Sequence, residues 1–84
     1  MKYRLMISIE VVEFIERLPV KTRKKLRNVI VGIGNDPLGE SEAEDRDETG
    51  RRLEIAIGGE FALIYWIDDV DRQVKILDIH AADR

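Results

Sequence analysis

His80 is the only side chain in this sequence whose ordinary pKa lies near neutrality, and Asp78, two positions earlier, would share its face of a strand. A histidine oriented by a carboxylate can give and take a proton, so the pair is a candidate for general acid–base chemistry. Arg51 and Arg52 are neighbours whose planar guanidinium groups suit bidentate contact with a phosphate. Glu54 could serve as a base beside His80 or form a cross-strand ion pair with an arginine. Each group also has a plainer reading. A histidine near the C-terminus fits a half-exposed strand end, and the two arginines could balance the acidic residues that precede them.

Two further sets have the character of binding surfaces. Trp66 and Ile64 alternate along one apolar run, on the face opposite Tyr65, and a tryptophan there can stack on a base or anchor a partner peptide. Arg23, Lys24 and Arg27 crowd a segment without acids, from Arg17 to Arg27, whereas Asp36 to Glu48 holds seven acids against Arg46 alone. Such segregation suits a polyanion-binding face beside an acidic loop, and equally the solvated side of a helix. The net charge of −3 opposes general affinity for nucleic acid. With no cysteine and one histidine, neither a disulfide framework nor a transition-metal site is expected, and no cofactor. No run approaches the roughly 20 apolar residues that span a bilayer, and the N-terminus lacks a signal-peptide pattern, so a soluble cytoplasmic protein without a membrane partner is expected.

The 84 residues make one domain, 1–84, which buries about 60–65% of the surface its unfolded chain exposes. Lys2 to Ile9 alternates as a half-buried strand, and Ser8 is placed to cap a helix over Glu10 to Leu18 with a stripe of Val11, Phe14, Ile15 and Leu18. Pro19 ends that helix. A second helix runs over Val20 to Ile33 on Leu26, Val29, Ile30 and Ile33, with Gly34 as its left-handed cap and Pro37 beyond. Gly39 to Gly50 has no periodicity and reads as a loop. Arg51 to Ile57 and Glu60 to Ile67 form a hairpin about Gly58-Gly59, Asp68 to Arg72 a turn, and Gln73 to Ile79 a last strand. The class is α+β in the order β-α-α-β-β-β, a helical hairpin on one face of a mainly antiparallel sheet. Strand parity predicts that the sets containing Ile55, Leu63 and Leu77 face the helices. Arg52, Glu54, Ala62, Ile64, Trp66, Asp78 and His80 are then left on the other face.

This order, with Asp36-Pro37-Leu38 closing the second helix, Gly59-Glu-Phe-Ala-Leu-Ile-Tyr65 and Val74-Lys-Ile-Leu-Asp-Ile79, resembles the RelE/ParE toxin superfamily of bacterial toxin–antitoxin pairs over nearly the whole chain. The resemblance implies a toxin neutralised by an antitoxin that wraps it. It also implies either ribosome-dependent cleavage of messenger RNA or poisoning of DNA gyrase. The pattern is broken at Ala62, where relatives carry an arginine. It breaks again at His80 and Ala82, where they carry a glycine and an arginine; Arg84 is displaced toward the terminus. Alanine cannot neutralise a scissile phosphate, and losing one preorganised charge contact costs roughly 10²–10³ in rate. The expected function is therefore a toxin-fold component that acts by binding a partner. The alternatives are a messenger endoribonuclease using His80, Arg51, Arg52 and Arg84, and a non-toxic homodimeric binding protein.

Overall fold

A computed structural model describes residues 2–82. Strand β1 (Arg4–Ile7) leads through Ser8 into helix α1 (Ile9–Glu16), and the Ser8 hydroxyl accepts the Val11 N–H at 3.3 Å, as expected of a cap. The helix ends two residues earlier than the stripe suggests. Arg17 and Leu18 donate instead to Phe14 and Ile15 carbonyls, tightening the last turn before Pro19. Helix α2 (Val20–Asn35) runs past Gly34, which is buried and not left-handed; its carbonyl accepts the Tyr3 N–H at 3.0 Å. The stop comes instead at Asp36-Pro37, where Pro37 opens the next turn.

The acidic stretch is more ordered than its composition suggests. It holds a one-turn helix α3 (Pro37–Glu40) and a strand β2 (Ala43–Arg46). Every side chain of β2 is exposed, so the strand carries no apolar alternation and rests on backbone pairing with β3 (Arg52–Gly58). Asp47 closes the connection: its carboxylate accepts the Thr49 and Arg51 N–H groups at 2.9 Å and the Thr49 hydroxyl at 2.6 Å. Strand β4 (Phe61–Asp68) and strand β5 (Gln73–Ala81) complete a sheet in the order β1-β5-β4-β3-β2, with β1 parallel to β5 and all other pairs antiparallel. The β3–β4 hairpin turns at Gly59, whose φ of 61° starts a two-residue loop as in a type II′ turn.

Helices α1 and α2 cover one face. Val11, Leu26, Ile30 and Ile33 meet Ala56, Leu63, Tyr65, Val74, Ile76 and Ile79. The β4 set around Leu63 faces the helices as expected, but β3 is reversed: Ala56 and Gly58 point inward, and Ile55 and Ile57 outward. Close approach of α2 is the reason. A Cβ at Gly58 would lie 3.0 Å from Leu26 and 3.2 Å from Val29, so small residues must sit beneath this helix. Strand β5 is split by a bulge. Tyr65 pairs with Ile76 and Ile64 with Asp78, leaving Leu77 as the extra residue. Ile79 therefore faces inward as expected, while Leu77 and Lys75 do not, and Ile76, expected outside, is in the core.

Candidate functional site

The open face of the sheet carries two parallel rows of side chains. Lys75, Trp66 and Leu53 form one, on β5, β4 and β3; Asp78, Ile64 and Ile55 form the next. Ala62 and His80 lie beyond, with Ile57 at their side. Trp66 is the electrostatic focus of this face. The Arg51 guanidinium lies 4.2 Å from its ring centre and the Lys75 ammonium 4.6 Å, both drawn to the negative π surface.

The residues that could do chemistry are not gathered. His80 and Asp78 do share the face, but Nδ1 and Oδ2 stand 3.8 Å apart, beyond hydrogen-bond reach, with both side chains more than half exposed. Trp66, under Arg51, lies four residues along β4 from Ala62, the partner of His80, which is about 13 Å at strand spacing. Arg52, expected on the same face, points the opposite way. It is held by Glu54 at 2.5 Å and Glu44 at 3.0 Å. Glu54 is likewise on the helix side, 3% exposed, and also accepts the Ser41 hydroxyl at 2.6 Å, so it does not meet His80. Arg84 lies outside the described residues. Among the described residues, no group of three or more histidine or acidic side chains has the arrangement of a metal site.

Glu54 belongs to a structural cluster under α3. Tyr65, fully buried beside it, donates its hydroxyl to the Pro37 carbonyl at 2.6 Å, and burial pushes this phenol well above the ordinary tyrosine pKa. Together these contacts anchor the α2–α3 junction to the sheet. At the far end of the turn, Tyr3 donates to Asp69 at 2.7 Å and lies under the Arg72 guanidinium at 4.3 Å; Arg72 is held at a φ of 54°. The hydrogen bond to Asp69 raises the Tyr3 pKa. The sequence does not signal either cluster, because both depend on loop geometry.

A second surface lies on the helices. A groove of about 400 Å³ opens between α1 and α2, floored by Ile7, Val12, Ile15, Ile30 and Val31 and edged by Glu16, Arg23 and Arg27. Lys24 adjoins Arg23 and Arg27 on the outer side of α2. Among the described residues, none of these three cations is in an ion pair. The expected basic face thus borders an unfilled apolar channel, which the helical stripes alone did not reveal.

No protein-family model matches the chain, and no curated protein does. Solved structures do. The archaeal RelE–RelB complex from Pyrococcus horikoshii matches at a TM-score of 0.84 and 24% identity, over 100% of this chain and 99% of that one. The RelBE2 toxin–antitoxin complex from Mycobacterium tuberculosis matches at 0.80 and 20%, over 98% and 100%. The intact RelBE toxin–antitoxin complex from E. coli matches at 0.71 and 16%, over 98% and 99%. The chain has the RelE fold, as the order of its elements led one to expect.

Proposed function

We propose that this chain is the toxin-like component of a toxin–antitoxin pair that acts by binding, and that an antitoxin segment is held along the groove between α1 and α2. The observation that carries this reading is the groove itself: an open apolar channel beside three cations that, among the described residues, have no ionic partners. Burying such a channel removes apolar surface from water, and the cations favour a partner with acids along its edge. The RelE fold supports the reading, since structures sharing it include complexes of RelE with RelB. Arg23, Lys24 and Arg27 steer and orient the partner, and Val12, Ile15 and Val31 receive its apolar side chains.

Acid–base cleavage of RNA is the poorer fit. Among the described residues His80 has no hydrogen-bonded orienting group, Arg52 is tied to two carboxylates, and Arg51 is stacked on Trp66. The position between Ile57 and His80, where a charge could face a phosphate, is Ala62.

The test is to mix the purified chain with the product of a small adjacent open reading frame and follow thermal unfolding. A true partner raises the midpoint, since binding to the native state alone stabilises by mass action. Arg23→Glu with Arg27→Glu removes that gain while leaving the unbound protein folded. A midpoint that does not move on addition of the partner overturns the proposal.

A further inference from the structure

The open sheet face is apolar at its centre and charged at one side, in an arrangement that complements itself. Met6, Leu77 and Ile57 are 50%, 43% and 39% exposed there, and Ile55, Ile64 and Trp66 are half-buried. Contiguous apolar surface of this kind marks an interaction site. Its two central rows carry matched contents: Lys75, Trp66, Leu53 in one and Asp78, Ile64, Ile55 in the other, each read from β5 to β3.

From this pattern we infer that the open face pairs with the same face of a second copy of the chain. A two-fold axis lying in the interface, across the strands and midway between the rows, lays each row on the other row of the second copy. Lys75 then meets Asp78 of the second copy, and Trp66 meets Ile64. The operation generates each contact twice, as an isologous interface requires. Both Lys–Asp pairs lie on the β5 side, beside four isoleucines (Ile64 and Ile55 of each copy) and two tryptophans. Among the described residues neither charge pairs with an opposite lysine, arginine or carboxylate charge: Lys75 rests on the Trp66 ring, and Asp78 accepts the Ile79 N–H at 2.8 Å and stands 3.8 Å from His80. An axis along the strands gives no such match, because it sets β5 against β3 and leaves Lys75 and Asp78 facing isoleucine and leucine.

Sheets packed face to face in this way lie about 10 Å apart with strands within about 30° of each other. The patch spans four strands and about five residues along each, roughly 19 by 17 Å. At roughly 650 Å² over the two copies, this is below a stable specific interface, so the pairing is weak and depends on concentration. The pairing leaves the groove between α1 and α2 free, and it stands or falls independently of the antitoxin reading.

Sedimentation velocity of the purified chain from micromolar to millimolar concentration tests the inference. The expected result is a monomer that becomes a dimer across this range, with Trp66 fluorescence shifting to shorter wavelength in step. Ile64→Arg, which leaves the helix-covered core untouched, abolishes the dimer while circular dichroism stays unchanged. Lys75→Asp and Asp78→Lys each weaken association, and the double exchange restores it, because only the sign of each pair is reversed. A chain that stays monomeric throughout, a dimer indifferent to Ile64→Arg, or a double exchange no better than the single ones overturns it.

Discussion

At the scale of single residues, the polar groups that look most reactive in sequence are engaged in holding the fold. Glu54 is buried and accepts from both Ser41 and Arg52, so its removal takes an acceptor from each, leaving Ser41 with the Ala43 carbonyl and Arg52 with Glu44. Glu54→Ala should lower stability by about 2 kcal/mol. Glu54→Gln, which keeps an acceptor for Ser41, should cost less, and urea unfolding at neutral pH measures both. Tyr65 supplies a pH signature. Because burial raises its pKa in the folded state, the fold favours the neutral phenol. Its contribution is fully present below the unfolded tyrosine value of about 10, and it is lost as pH rises beyond that value toward the raised one. Tyr3, held by Asp69, acts in the same direction. Tyr65→Phe should therefore flatten the alkaline fall in stability without removing it. At neutral pH it should cost about 1 kcal/mol for the lost bond to Pro37. Unfolding midpoints between neutral and strongly alkaline pH check both statements.

At the scale of elements, the contact between α2 and β3 decides which face each side chain takes. Gly58→Ala places a methyl 3.0 Å from Leu26 and 3.2 Å from Val29 in a packed layer. It should destabilise by about 1–3 kcal/mol by overpacking, measurable by urea unfolding. This contact also explains what could be read beforehand. The helices, the Ser8 cap, the hairpin at Gly58-Gly59 and the inward set around Leu63 follow from periodicity and local chemistry, which the sequence states directly. The orientation of β3 follows from a neighbour far along the chain, so Ile55 and Ile57 are misassigned when alternation and hydrophobicity alone are used. The bulge at Leu77 has the same character: one extra residue reverses parity, and nothing in Ile76-Leu77-Asp78 announces it. Strand β2 was hidden for a different reason. An edge strand with every side chain in water needs no apolar residues, and Glu44 and Asp45 help keep its free edge from pairing further. Asp47 holds its turn, and hydrogen bonds from Thr49 and Arg51 depress the Asp47 pKa. Asp47→Ala should thus reduce amide-exchange protection across Glu44 to Arg46 with little change in the protection of β4.

For the whole molecule, the layers separate two kinds of surface. The helical side offers a channel edged by cations, and the other side of the sheet offers an apolar field with Trp66 at its centre. Of the site residues suggested by sequence, Trp66 and Ile64 do share one face, and Arg23, Lys24 and Arg27 adjoin one groove. Arg51, Arg52 and His80, in contrast, are distributed over two faces and about 13 Å of sheet. That distribution supports the proposal that the chain acts by holding a partner. The most direct measurement is growth and messenger integrity after induction of the chain alone, in wild type and His80→Ala. The account predicts growth arrest of equal depth in both, with messages intact. Cleaved messages in wild type, with arrest and cleavage both abolished by His80→Ala, would contradict it.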